Sequence, residues 1–371
     1  MRILLVRLRL IGDVVFTTPI VRALRRHYPS AHLAYIVEPA AAPVLRGNPH
    51  INELIVAPKS RGTDRLRDDF GLANALRRKR FDLAIDLHGG PRSAWLTWAS
   101  RAPVRIGYTI RGRSWMYTHV VPRSAELAPR HSVVSQWDLL APLGIDGCDP
   151  TRDAVEMVED SGAAARVEGR LRQAGIGQNA AIVVMHVSAG NPFRRWPEEA
   201  FSEAVVALAE ADPNRRIILT AGPSDGDAVR RVVETARARL RTPASVPMVE
   251  DWDLAELRAL VARAAVYIGG DSGPVHIAAT TTTPIVELLG PTLAERSRPW
   301  RDPRLPSEMV DVGPLPCRPC NQRRCAPGDF RCLTGITPER VIAAVERVMK
   351  SGSEVIFRGQ SQAPHETVLE K

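Results

Sequence analysis

Ile11-Gly12-Asp13-Val14 follows the apolar run Ile3-Leu4-Leu5-Val6 and precedes Thr17-Thr18-Pro19. A buried strand that ends in a glycine turn with one carboxylate puts Asp13 at the carboxyl end of a parallel strand. Open α/β sheets hold their ligands there. A lone acid at that place is a candidate general base. The same carboxylate also suits a helix N-cap, and the residue types alone leave both readings open.

Three later segments carry chemistry of a second kind. His186-Val187-Ser188-Ala189-Gly190-Asn191-Pro192-Phe193-Arg194-Arg195-Trp196-Pro197 follows another apolar run. Small and hydroxyl residues such as Ser188 let backbone N–H groups approach an anion, and Arg194 and Arg195 offer planar forks for phosphate. A solvated basic loop is the plainer alternative. Gly269-Gly270-Asp271-Ser272-Gly273-Pro274-Val275-His276 places Ser272 and Gly273 at a helix start, with Pro274 in the first turn. Free N–H groups and the helix dipole favour an anion there. Asp271 repels phosphate and suits a sugar hydroxyl instead, while His276 alone reads equally as a packed histidine. Ala221-Gly222-Pro223-Ser224-Asp225 is a turn able to abut a ribose, with Gly222 close to it and Asp225 or Asp227 bonding its hydroxyls. Finally, Cys317, Cys320, Cys325 and Cys332 fall in a C-x2-C-x4-C-x6-C pattern. The first pair has zinc-knuckle spacing, and four thiolates would make a closed structural site. Reduced thiols in an irregular loop fit the same spacing.

The elements needed to position these residues alternate strand and helix. The patterning predicts strands at 2–7, 32–37, 52–56, 81–87 and 104–108, with helices at 17–27 and 66–79. Residues 147–165 are polar and show no hydrophobic period, so a linker is placed near 150–175. The alternation then restarts with strands at 181–186, 216–220, 265–269 and 284–290 and helices at 197–210, 225–240, 254–263, 274–280 and 338–349. Such alternation implies parallel sheets covered by helices on both faces. Residues 1–165 and 175–350 are therefore expected as two domains, with 351–371 a polar, disordered tail.

The chain has 371 residues and a net charge of +9, mostly from arginine. The length suits two domains of roughly 150–180 residues. The charge favours anionic partners. The basic residues are scattered with no recognised module, which argues against a nucleic-acid-binding protein. No stretch approaches the ~20 apolar residues of a membrane span, and Arg7 and Arg9 interrupt the N-terminal run, unlike a signal peptide. A cytoplasmic protein is expected, with any membrane contact peripheral. Arg92, Arg105, Arg111 and Arg113 are candidates to meet acceptor phosphates, or else solvated surface.

Taken in order, the motifs resemble glycosyltransferase family 9, the ADP-heptose:lipopolysaccharide heptosyltransferases and their relatives. The resemblance rests on Ile11-Gly12-Asp13-Val14 with Thr18-Pro19, Asp86-Leu87-His88-Gly89 with Arg92-Ser93, and Arg105-Ile106-Gly107-Tyr108. It continues with Arg194-Arg195-Trp196-Pro197, Gly270-Asp271-Ser272-Gly273-Pro274-Val275-His276, and Thr283-Pro284 through Gly290-Pro291-Thr292, over roughly residues 1–350. The resemblance implies a GT-B fold: two Rossmann-like, doubly wound α/β domains facing a cleft, with acceptor on the N-terminal side and nucleotide-sugar donor on the C-terminal side. It further implies an inverting transfer without a catalytic metal or other cofactor. Asp13 is then the base, Ser188 and Arg194 lie near the donor phosphates, Asp271 meets the donor sugar, and the Ser272 and Gly273 N–H groups face the diphosphate. Arg194 stands where lysine is common, and Ser272 where threonine is. The implied partners are ADP-heptose and a phosphorylated glycolipid, met at the cytoplasmic face of the inner membrane. A non-catalytic nucleotide-sugar or glycan binder on the same fold is the competing class.

Overall fold

The computed structural model describes residues 1–360, apart from 61, 124–129, 223–224, 248–251 and 321, with side chains described through residue 352. Pro223 and Ser224 of the predicted ribose turn, and residues 361–371 of the predicted tail, lie outside the described residues.

The first half of the chain forms a parallel sheet of β1 (Arg2–Val6), β2 (His32–Val37), β3 (Glu53–Val56), β4 (Leu83–Asp86), β5 (Val104–Tyr108) and β6 (His119–Val121), in the order β3-β2-β1-β4-β5-β6. The second half forms another, of β7 (Ala181–His186), β8 (Arg215–Thr220), β9 (Val266–Gly270), β10 (Ile285–Leu288) and β11 (Ser307–Val310), in the order β11-β10-β9-β7-β8. Strand order reverses beside β1 in the first sheet and beside β7 in the second. These are the switch points where such sheets open a crevice at their carboxyl ends.

The apolar runs explain which strands are central. Ile3, Leu4, Leu5 and Val6 are all fully buried, as expected for a strand covered on both faces. Leu4 and Val6 join a core under the outer helices, whereas Ile3 and Leu5 join one shared with Ile182, Val184, Tyr267 and Ile285 of the second sheet. A single apolar layer thus runs between the two halves. Val183, Met185 and Ile268 face the opposite way, into a separate core of the second half.

Several elements differ from expectation. β6 and β11 are not predicted; they have three and four residues, too few to show alternation. The segment read as a linker contains the helix Ser161–Gln173, capped by Asp160, whose carboxylate accepts from the Ala163 N–H at 2.8 Å. That helix buries only Ala163, Val167 and Leu171 and sets Arg166 and Arg170 on Glu256, at 2.6 and 3.3 Å, in the helix Leu254–Arg263. Three apolar residues among arginines are a faint period. The last helix runs Pro338–Gln360, past the predicted end at 349 and into the segment expected to be disordered.

Two straps tie the halves together. Val155 N–H donates to the Trp300 carbonyl at 3.1 Å, and the Trp300 indole donates to the Asp153 carbonyl at 2.8 Å. Beside them, His131 Nε2 bonds the Arg298 carbonyl at 2.8 Å and Ser132 Oγ donates to the Arg296 carbonyl at 2.9 Å.

Candidate active site

Asp13 sits in a one-turn helix, Ile11–Val15, directly after β1. The residue before that helix, Leu10, takes a left-handed backbone conformation (φ 69°), and it rather than Asp13 occupies the N-cap position. The next helix, Thr18–His27, has Thr17 at its N-cap. The cap reading of Asp13 is thereby corrected: its carboxylate is paired with the Arg7 guanidinium. Arg7 also donates to the Leu87 carbonyl at 2.7 Å, at the end of β4. Its side chain is 9% exposed and that of Asp13 29%. A buried cation therefore orients a carboxylate that still reaches the crevice.

The helix Ile11–Val15 packs against the helix Gly273–Ala278 of the second half. The approach is close enough to require glycine on both sides. A methyl on Gly12 would lie 2.5 Å from His276 Cδ2, and one on Gly273 would lie 3.0 Å from Ile11 Cβ. The Phe16 ring stacks on His276 with centroids 4.2 Å apart. Two strand ends, one from each sheet, therefore meet across this contact.

Asp271 lies on the far side of it, only 3% exposed. Arg194 Nη1 stands 3.0 Å from its carboxylate and donates to its carbonyl at 3.0 Å, and His276 Nε2 stands 3.7 Å away. Burial alone would raise the Asp271 carboxyl; the facing His276 and Arg194 outweigh it and hold the group below the ordinary carboxylate value. Arg194 Nε donates to Gln322 Oε1 at 2.8 Å, so the guanidinium is fixed on two sides. Ser272 is the N-cap residue of the helix Gly273–Ala278, with its hydroxyl turned back to the Gly270 carbonyl at 3.2 Å.

A neighbouring group gathers at the ends of β7 and β8. Gly222 N–H donates to Ser188 Oγ at 2.9 Å, and Arg195 Nη2 pairs with Asp225 at 2.9 Å while its Nε donates to the Ala189 carbonyl at 2.9 Å. His186 underlies Ser188, with Nδ1 on Thr220 Oγ1 at 2.9 Å, and burial pushes its imidazole down to about 4. Thus Ser188, Arg194, Arg195, Gly222, Asp225, Asp271, Ser272, Gly273 and His276 come together at the carboxyl edge of the second sheet. Asp227 instead forms an exposed pair with Arg230.

The predicted acceptor arginines are placed differently. Arg92 is bound to Asp69 at 2.7 Å, Glu38 at 3.1 Å and the Pro58 carbonyl at 2.7 Å, with its side chain 9% exposed. It braces the helix Gly62–Arg78 and two loops and has little left for a ligand. Arg105 is the second residue of β5, at the edge opposite the crevice, and donates to the Met116 and Ala102 carbonyls at 2.8 and 2.6 Å. Neither is brought to Asp13. Arg113 does reach the crevice side, donating to the Gly89 carbonyl at 3.3 Å.

The four clustered cysteines are free and half-buried. Among the described residues, no group of three or more His, Cys, Asp or Glu side chains is placed to hold a metal ion.

Three site residues were not singled out from sequence. Arg7 is legible afterwards as a charge just past a fully apolar strand. Glu287 is an acid inside the apolar strand β10; it is fully buried with neither oxygen partnered, and burial together with Asp271 pushes its carboxyl well up. Gln322 carries no signal at all.

Two Rossmann-like sheets whose carboxyl edges meet across the Gly12–Gly273 contact define the class of fold, GT-B. The family model described as glycosyltransferase family 9 (heptosyltransferase) matches residues 70–329, and the chain belongs to that family. It is 30% identical to lipopolysaccharide heptosyltransferase 3 of Escherichia coli over 93% of this chain and 98% of that one. A family 9 glycosyltransferase from Veillonella parvula superimposes with a TM-score of 0.78 at 23% identity, covering 94% of this chain and 97% of that chain. The E. coli ADP-heptose lps heptosyltransferase II does so with a TM-score of 0.76 at 20% identity, covering 95% and 100%.

Proposed function

We propose that this glycosyltransferase moves a heptose from ADP-heptose to a hydroxyl of a lipopolysaccharide core, with inversion and without a catalytic metal. The observation that carries the reading is the opposition of Asp13, held by Arg7, to the Arg194–Asp271–His276 group across the Gly12–Gly273 contact. The acceptor oxygen attacks the anomeric carbon and gives its proton to the Asp13 carboxylate. The bond from that carbon to the diphosphate oxygen breaks, and the electron pair leaves with the nucleotide. A single displacement inverts the centre and needs only one carboxylate. Arg194 and Arg195, with the N–H groups at Ser272 and Gly273, oppose the growing diphosphate charge, which is the task a metal ion performs elsewhere. Asp271 receives hydroxyls of the donor sugar, and Ser188, Gly222 and Asp225 bind toward the ribose and phosphates. The heptose and ADP come from the names of relatives. The lipopolysaccharide acceptor takes its support from the names of relatives, and a peripheral seat on the cytoplasmic face of the inner membrane from the basic charge.

Thermal-shift titration with ADP, UDP, GDP and ADP-heptose, without added metal, tests the donor. Ligands of the folded state raise its stability, so selective stabilisation by ADP and ADP-heptose is expected, and a preference for UDP or GDP overturns the donor. Asp13→Asn should bind ADP-heptose normally yet lose transfer by about 10²–10⁴-fold. Full transfer by that variant removes Asp13 from the base role, and ADP-heptose binding with no turnover by the unmodified protein on core acceptors favours the non-catalytic binder.

A further inference from the structure

The half that carries Asp13 exposes an aromatic ridge which the transfer chemistry does not use. Leu66 and Phe70 lie one turn apart on the helix Gly62–Arg78, each 61% exposed. Phe70 meets Trp95 edge-on, with centroids 5.6 Å apart. Trp95 and Trp98 share the helix Pro91–Ala99, and Trp98 meets Trp115 edge-on at 5.8 Å. Trp98 is 39% exposed and Trp115 64%. The two helices are locked side by side by Arg92 on Asp69 at one end and by Arg77 Nε on the Ala99 carbonyl at 3.1 Å at the other. The two ring pairs are linked through the helix Pro91–Ala99, which carries Trp98 exposed and Trp95 half-buried against the core beneath, so three separate elements share one apolar face.

Soluble surfaces rarely leave so many large apolar side chains in contact without a partner. The surroundings indicate which partner. Arg67, Arg78, Arg101 and Arg111 are exposed on the same elements and their adjoining loops, against two exposed acids, Asp64 and Asp82, and the half-buried Asp68. Indole rings with an arginine rim match a membrane–water interface, where tryptophan settles at headgroup depth and arginine meets anionic phosphate. A second copy of this chain fits poorly, because a two-fold contact would set the arginine rim against itself. The support also leads to the crevice: Arg92 starts the helix Pro91–Ala99 immediately after the β4 loop that Arg7 and Arg113 touch.

We propose that the Leu66–Phe70–Trp95–Trp98–Trp115 ridge is the seat on an anionic phospholipid bilayer, holding the Asp13 side of the crevice toward a lipid-borne acceptor. The orientation toward acceptor rests on the transfer reading above; the lipid contact does not. The ridge enters the interface as a preformed unit, and its arginines add a salt-sensitive attraction.

Co-sedimentation of the full chain with phosphatidylethanolamine–phosphatidylglycerol vesicles, against pure phosphatidylcholine vesicles, tests the contact. Binding to the anionic vesicles, weakened by salt, is expected. The Trp98→Ala/Trp115→Ala variant should bind at least ~10-fold less, given the apolar area removed, while keeping its thermal midpoint and its ADP response. No binding by the unmodified protein, or equal binding by the folded variant, overturns the proposal. A dimer that the same variant abolishes assigns the ridge to a second copy and overturns it too. Transfer to acceptor embedded in vesicles should fall in the variant, whereas transfer to a deacylated core oligosaccharide should not. Absence of all transfer by the unmodified protein counts against the heptosyltransferase reading alone, because vesicle binding is read without turnover.

Discussion

Arg7 and Asp13 act as one unit. Arg7 ties the carboxylate after β1 to the carbonyl that ends β4, so the carboxylate proposed as the base is aimed from both strands at the switch point. Without the guanidinium, Asp13 keeps its chemistry and loses its direction. A misplacement of ~1 Å in a reacting group can cost about 10²-fold in rate. Arg7→Ala should therefore lower kcat by roughly that factor with little change in KM for the donor, which the proposed function seats on the other sheet. Arg7→Lys restores charge without the fork and should recover only part of the rate. Steady-state kinetics on folded variants decide the matter; an unchanged kcat in Arg7→Ala denies Arg7 its positioning role.

Among the elements, the contact between the helices Ile11–Val15 and Gly273–Ala278 sets how near the two chemistries stand. Each is short, and each contributes a glycine where the backbones approach. A Gly12→Ala methyl would press on the His276 ring, which is already stacked on Phe16. Overpacking of that kind costs about 1–3 kcal/mol. Urea unfolding should show that loss in Gly12→Ala, and combining it with His276→Ala should return most of it, because the clashing atom is gone. A simple sum of the two single losses means that the methyl is resisted elsewhere.

At the scale of the whole molecule, one apolar layer and two polar straps join the halves, and His131 sits at their crossing. Its Nδ1 accepts from the Val133 N–H at 3.1 Å, so its Nε2–H donates to the Arg298 carbonyl at 2.8 Å. The ring lies between Phe16 and Trp300, with centroids 5.1 and 4.6 Å away. Burial lowers its pKa to about 4, as it does for His186. Both imidazoles are neutral in the folded and unfolded chains above about 6.5. Below that value the unfolded chain takes up protons that the folded one refuses. Each imidazole thus contributes a loss of up to about 1.4 kcal/mol per pH unit as pH falls from 6.5 to 4, while the buried Asp86 and Glu287 carboxyls, held up by burial, contribute the opposite slope. The slope of urea midpoints across that window should differ by about one proton between His131→Gln and the unmodified protein, the variant losing less stability as pH falls. An unchanged slope in His131→Gln contradicts the buried neutral state of His131.

Much of this protein is written locally. Fully apolar strands such as Ile3–Val6 and Ile182–Met185 announce parallel sheets, because strands buried on both faces need no alternation. Glycine, acid and proline at strand ends announce the crevice, because those residues suit tight turns and helix starts. What the sequence leaves open is everything set by partners remote in the chain. Asp13 reads equally as cap or base until Leu10 is seen at the N-cap position and Arg7 on the carboxylate, which removes the cap reading. Arg92 and Arg105 look free until carboxylates and carbonyls from other loops take them up. Helix Ser161–Gln173 looks like a linker until Glu256 and its neighbours supply the face it lacks. The apolar pattern is encoded residue by residue and determines the two sheets. The pairing of charges depends on which strand ends the fold brings within a few ångströms, and only the tertiary structure decides that.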